Sequence, residues 1–290
     1  MHRIITLVVL AIFLTACTTA APVADPPPAA SSASPVETDA SGTTPETEAP
    51  RETDQTDEST KVLFVITNHT ILGDTDKETG YFLSELSHPW HELVEAGYAV
   101  DFMSPEGGAV HPDPRSMDLD DEINHDFWND DDIQDALEHT MAPTDVDPDD
   151  YRAIFFVGGH GTMWDFPGNI QLGAIAARIW ENGGSVAAVC HGPAALIGLR
   201  LSDGTPLVEG KNLTAFTDDE ERAVELADDM PFLLQTDLEN RGAIFHAAPN
   251  FEENVIVDGQ LITGQNPASA QKLGRELVKF LDAKHQADLN

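Results

Sequence analysis

The stretch GSVAAVCHGPAALIG, residues 184–198, constrains the fold of this chain more than any other. An apolar run at 186–189, bounded by Gly183 and Gly184, reads as a buried strand. Cys190, His191, Gly192 and Pro193 follow at once, and then an apolar run at 194–199 with the look of a helix. A strand, a tight turn centred on a nucleophile and a helix make a nucleophile elbow. Such a turn lifts the sulfur above the sheet edge and points the free N–H groups of the next helix at it. That predicts a thiol with a lowered pKa, because the thiolate is the form the helix end favours. Pro193 suits the first helical turn, where no amide hydrogen is needed.

Charge narrows the partners. The chain has 15 Lys plus Arg against 51 Asp plus Glu over 290 residues, a formal net charge of -36. A surface so acidic repels nucleic acid and anionic headgroups, and neither is expected as a direct partner. The N-terminus reads as a signal peptide, residues 1–16, with Arg3 ahead of an apolar run at 4–14 that is too short to span a bilayer. Leu14-Thr15-Ala16-Cys17 resembles a bacterial lipobox, which implies lipidation of Cys17 and an extracytoplasmic, membrane-anchored lipoprotein in the periplasm or at the cell surface. Residues 17–60 read as a tether. Positions 18–60 hold seven prolines, nine threonines and no aromatic residue, too little apolar surface to offset the entropy of ordering. The expected domain spans 61–284, with a tail at 285–290.

Within it, KVLFVIT at 61–67 is a buried first strand. A helix is expected over 79–96, with Phe82, Leu83, Leu86, Trp90, Leu93 and Val94 on one face and Gly97 as its stop. Residues 98–103 and 151–157 read as the second and third strands, and 169–181 as a helix. Between those two strands, residues 113–150 hold 15 acids and one base, Arg115. Weak helical patterns around Phe127, Trp128, Ile133 and Leu137 suggest an inserted helical cap, against the alternative of a solvated acidic loop. Further strands are expected at 212–216 and 244–247, and a hairpin at 254–263 turning on Asp258-Gly259. Thr217 caps a helix running to about 226, and 267–284 forms the closing helix. Strands alternating with helices argue for an α/β three-layer sandwich with a mostly parallel sheet, whose ligands bind at the C-terminal strand ends.

Several separated segments agree on a family. KVLFVITNH, TGYFLSELSHPWHELVEAG, FFVGGHGTMWDFP, AAVCHGPAAL, EGKNLTAFTDDEE and LITGQNPASA resemble the PfpI-like superfamily, and within it the glutathione-independent glyoxalases (glyoxalase III) and heat-shock holding chaperones. The resemblance implies the class I glutamine amidotransferase-like, flavodoxin-like fold. It implies Cys190 as nucleophile with His191 beside it and Glu85 approaching from the first helix. It also implies a second acid supporting the histidine at Glu221, with Glu220 as the alternative, and an oxyanion loop at Gly158-Gly159-His160-Gly161, chiefly Gly159 and His160. Glu85 lies one turn after Phe82 at the edge of the apolar stripe, so burial should raise its pKa. The His-x-Glu of amidotransferases is absent, since His246 is followed by Ala247 and Ala248. The family is mostly cytosolic, whereas this chain reads as anchored outside.

The expected activity is conversion of methylglyoxal, or a related small dicarbonyl, to a hydroxy acid by a lyase of the D-lactate dehydratase type, with no cofactor. The alternatives are a holding chaperone or redox sensor and a cysteine hydrolase; a homodimer is allowed for. His88 and His91 sit three apart on the first helix and His160 lies near the site, but no four-ligand set appears and no metal is expected.

Overall fold

The computed structural model describes residues 61–288. The chain runs β1 (Lys61–Val65), α1 (Leu83–Glu95), β2 (Ala99–Met103), α2 (Glu122–Trp128), α3 (Asp131–Glu138), β3 (Ala153–Phe156), α4 (Thr162–Asp165), α5 (Ile170–Glu181), β4 (Ser185–Val189), β5 (Asn212–Leu213), α6 (Asp218–Ala223), α7 (Leu234–Asn240), β6 (Ile244–Phe245), β7 (Val255–Asp258), β8 (Leu261–Gly264) and α8 (Ala270–Asp288). Six strands form one sheet in the order β2-β1-β3-β4-β8-β7. All neighbours are parallel except the edge hairpin β7–β8.

Strand alternation builds two cores. Leu63, Val65, Ile154, Phe156, Val186 and Ala188 face one side, where α5 supplies Leu172, Ile175 and Ile179. Val62, Phe64, Phe155, Ala187 and Val189 face the other, against Leu86 and Leu93 of α1 and Leu273 and Leu277 of α8. Every residue of β3, β4 and β8 is buried, as parallel strands covered on both faces must be. At roughly 1.5–3 kcal/mol for each large apolar side chain removed from water, these two layers are the main stabilising term. The α/β sandwich with a mostly parallel sheet is as expected.

Several boundaries differ. The helix expected from 79 begins at Leu83, because Tyr81 is held extended by its N–H on the His111 carbonyl, at 3.1 Å. The acidic stretch does fold: Asp121 and Asp130 cap α2 and α3, whose Phe127, Ile133 and Leu137 are buried. The strands expected at 212–216 and 244–247 shorten to β5 and β6 and pair with each other outside the main sheet. Residues after Cys190 form a 3-10 segment, Gly192–Leu196, and not the expected α-helix. Among the described residues no helix is long and apolar enough to cross a membrane. The expected signal peptide, Cys17 and the tether lie outside the described residues.

Helices α1 and α8 touch closely at Gly274. A Cβ built there would sit 2.8 Å from the Pro89 Cα and 3.2 Å from the Glu92 Cβ, nearer than packed atoms tolerate. At Gly173 in α5 the nearest such atom, the Leu199 Cα, is 4.0 Å away. Helix propensity alone favours alanine at both by up to about 1 kcal/mol. We expect Gly173→Ala to stabilise the fold by roughly that amount in urea titrations. Gly274→Ala should destabilise it by about 1–3 kcal/mol, the usual range for overpacking. Equal stabilisation by both would refute the close packing of α1 on α8.

Candidate active site

Cys190 ends β4 with φ 58°, a left-handed conformation rare for a residue with a side chain. Strain of this kind costs about 1–3 kcal/mol and collects at functional turns. The Cys190 N–H is fixed on the Gly264 carbonyl at 2.9 Å, and its carbonyl accepts from the Phe216 N–H at 2.8 Å. The turn is thus clamped by β8 on one side and by the segment after β5 on the other. Its thiol is free, with the residue 3% exposed.

Glu85, in the first turn of α1, is fully buried. The Phe82 N–H on the Gly158 carbonyl, at 3.1 Å, ties the start of α1 to the loop after β3. Gly158 is required there, because any Cβ would overlap the Glu85 carboxyl and the Cys190 Cβ. The carboxyl interacts with the Cys190 thiol, although neither oxygen finds a regular hydrogen bond among the described residues. Burial pushes the Glu85 pKa up from 4.5 to about 8; the neighbouring Cys190 thiol opposes this and the Asp113 charge adds to it. The raised carboxyl expected from the sequence is therefore present.

The lowered thiol is not. Burial, and then the charge and hydrogen bond of Glu85, push the Cys190 pKa well above its ordinary value. The favourable contribution of the Gly159 N–H is smaller than these. The expectation failed because it relied on an α-helix end. The structure supplies a short 3-10 segment and buries the sulfur beside an acid.

A chain of side chains leads away from the sulfur. His191 Nδ1 lies 3.2 Å from Cys190 Sγ, and His191 Nε2 lies 2.6 Å from Glu221 Oε2. The other Glu221 oxygen is 3.0 Å from His160 Nε2, and His160 Nδ1 accepts from Arg115 Nη2 at 3.2 Å. Burial alone would raise Glu221, but His191 and His160 outweigh it and hold the carboxyl well below the usual range. Burial, with the His191 charge next, lowers the His160 pKa to about 4. Of the two acids left open by the sequence, Glu221 reaches His191. Glu220 caps α6 with Thr217 and accepts from Phe251 N and Asn266 Nδ2, each at 2.8 Å. In the expected oxyanion loop, the Gly159 backbone slightly favours the thiolate, and the His160 ring turns to Glu221.

The sequence reading missed Arg115 and Asp113. Arg115 grips the buried Asp113 through Nε (2.9 Å) and Nη2 (2.5 Å), and Thr79 donates to the same carboxylate at 3.0 Å. The available signal was a single base among fifteen acids. His88 pairs with Asp121 at 3.2 Å, and His246 bonds Asn212 at 2.7 Å. Among the described residues, one group of potential metal ligands gathers within 4.8 Å: His160, His191 and Glu221. Its atoms are already hydrogen-bonded to one another.

Raising the Glu85 pKa in the folded state has a stability cost with a definite sign. The group favours folding fully below 4.5, its unfolded value, and this is lost as pH rises toward about 8. Glu85→Gln removes the titration. Relative to wild type, the variant should gain stability between pH 5 and pH 8, on the order of a few kcal/mol at about 1.4 kcal/mol per pKa unit. A stability difference between the two that stays flat with pH in denaturant titrations would show that the carboxyl is not raised.

The comparisons with known proteins follow the geometry. The model of the DJ-1/PfpI family matches residues 78–280. The glutathione-independent glyoxalase HSP31 of Saccharomyces cerevisiae is 36% identical over 234 residues, covering 77% of this chain and 97% of that protein. The crystal structure of glyoxalase III from Candida albicans superposes with TM-score 0.72 at 32% identity, covering 77% of this chain and 98% of the other. That of the Rapid Encystment Protein 24 kDa of Francisella tularensis gives TM-score 0.74 at 36% identity, covering 76% and 98%. These findings correct the expected location. The similarity spans almost the whole of two fungal glyoxalases and groups the chain with them, not with extracytoplasmic lipoproteins, so the periplasmic or cell-surface placement is withdrawn. With 203 consecutive residues inside the family model, the elbow and its acids included, the chain belongs to the DJ-1/PfpI family.

Proposed function

We propose that this protein is a glutathione-independent glyoxalase that converts methylglyoxal, or a similarly small dicarbonyl, to its 2-hydroxy acid. The observation that carries the reading is a buried carboxyl with a pKa near 8 against a buried cysteine thiol. A group that must remove a proton from one carbon and return it to the next works best when its pKa lies near the working pH. The names of the similar yeast and Candida proteins support the same activity.

The sulfur attacks the aldehyde carbon while the S–H proton passes to His191 Nδ1, 3.2 Å away. Glu221, ionised and 2.6 Å from the other ring nitrogen, stabilises the imidazolium that forms. The imidazolium returns its proton to the former carbonyl oxygen, completing a hemithioacetal. Glu85, in its ionised fraction, takes the proton from the thiol-bearing carbon, giving an enediolate, and delivers it to the neighbouring carbon while the hydroxyl proton passes from the first oxygen to the second. The product is a thioester of the hydroxy acid. Water, deprotonated by His191, cleaves it to the acid and restores the thiol. The Gly159 N–H, in the loop after β3, supports charge at the reacting oxygen in this reading. The closed setting of Cys190, 3% exposed, suits a substrate of a few carbons better than a peptide in an open cleft. The raised thiol pKa also argues against an oxidant sensor, which depends on standing thiolate.

The full chain incubated with methylglyoxal should release D-lactate. Cys190→Ala should release none, and Glu85→Gln should be slower by about 10²- to 10⁴-fold, the usual share of a general acid–base group. Wild-type protein that folds and yields no lactate would end this reading, and near-normal turnover by Glu85→Gln would remove Glu85 from the proton transfer.

A further inference from the structure

Glu221 is held from two sides, and the side remote from the sulfur has a fixed polarity. Arginine carries N–H donors and no acceptor, so the 3.2 Å contact from Arg115 Nη2 requires His160 Nδ1 to be without a proton. The ring proton then sits on Nε2, 3.0 Å from Glu221 Oε1, and donates to it. Arg115 is itself locked. Its Nε and Nη2 engage both oxygens of Asp113, whose side chain is buried, and the Arg115 backbone N–H donates to Asp113 Oδ1 at 2.9 Å. The order of donors therefore runs one way, from Arg115 through His160 to Glu221.

We propose that Arg115 is a positioning residue that fixes His160 as the neutral Nε2–H tautomer, and that this ring clamps Glu221 so that its free oxygen stays on His191. The tautomer is set by the partner of the other nitrogen, as is general for histidine. In this role His160 moves no proton to or from substrate. The charged or titratable groups that face the ring are Glu221, His191 and Arg115; Phe216 covers it with an apolar edge, 5.9 Å between centroids. Burial, with the neighbouring His191 and Arg115, keeps a second proton off the ring despite the Glu221 carboxylate, in keeping with the neutral form. Without the clamp, Glu221 could rotate, and His191 would lose the oriented anion that supports its imidazolium.

Two readouts test this, and only the second rests on the glyoxalase reading. The first is ¹⁵N NMR of the histidine rings of the full chain, with the His160 signals identified by their loss in His160→Gln. Between pH 6 and 8 wild type should show an unprotonated Nδ1 and a protonated Nε2. In Arg115→Met the two tautomers should mix, or the ring should take a second proton. The second readout is methylglyoxal turnover. Arg115→Met should lower kcat roughly ten- to hundred-fold, the equivalent of one hydrogen bond to a charged group, with KM nearly unchanged. Arg115→Lys, which keeps one donor, should recover part of that loss. His160→Gln keeps a donor for Glu221 and an acceptor for Arg115, so it should exceed His160→Phe by about tenfold or more on the same reckoning. A protonated Nδ1 in wild type overturns the proposal, and so does a His160→Gln variant as slow as His160→Phe, which would make His160 a proton carrier. Should Arg115→Met fail to fold, with Asp113 left bare, the wild-type tautomer and the His160 pair decide. Should wild type show no turnover, the function fails while the tautomer still decides this point.

Discussion

The site depends on one unfavourable arrangement: a carboxyl and a thiol buried against each other. In such surroundings the charged form of either group is the costly one. The fold retains the pair because the elements that carry the two groups are placed independently by packing elsewhere in the structure. Glu85 is brought in by α1, whose Leu86 and Leu93 pack on the sheet. Cys190 is presented by the turn at the end of β4, clamped through Gly264 and Phe216. The absence of a side chain at Gly158 leaves room for both. A near-neutral acid beside a nucleophile thus follows from tertiary packing, and the one local signal for it is the place of Glu85 at the edge of the apolar stripe of α1.

The second constraint is how one strongly ionised acid survives in the same neighbourhood. Glu221 is nearly as buried as Glu85, yet its pKa moves in the opposite direction. The difference lies in its partners. Glu221 meets two imidazole N–H groups, whereas Glu85 meets a thiol. Two carboxyls in one site are thereby pushed apart in acidity, which is how a site obtains both an acid and a permanent anion at one pH. Adjacent in sequence, Glu220 and Glu221 diverge for a similar reason, since α6 turns one toward its own cap and the other toward the elbow.

The sheet and the elbow were legible in the sequence because their residues are buried on both faces, and such runs hardly vary in type: Val, Ala, Phe and Ile throughout β3 and β4, apart from Ser185 at the start of β4. Glu85 and His191 could be named from the family motifs. The thiol's acidity could not, since its sign is decided by how deeply the sulfur is buried and by which acid approaches it. Nor could Arg115 and Asp113, which lie in a stretch whose overwhelming acidity suggests a solvated surface. The fate of such a stretch depends on the few positions that turn inward: Asp113 buried on Arg115 and Thr79, and Asn124 buried on Ser87. Spacing does not mark those positions. The short strands β5 and β6 were expected to run too far for a related reason, because a two-residue pairing beside the main sheet has no periodicity that marks its end.

The central claim is that the Glu85 carboxyl keeps its proton near neutral pH. Infrared difference spectroscopy of wild type against Glu85→Gln measures this directly through the C=O stretch of a protonated carboxyl. The account predicts that this band is present in wild type at pH 6.5 and absent from the variant, and that it fades as pH passes through about 8. If wild type at pH 6.5 shows only the carboxylate bands of an ionised Glu85, the account is contradicted.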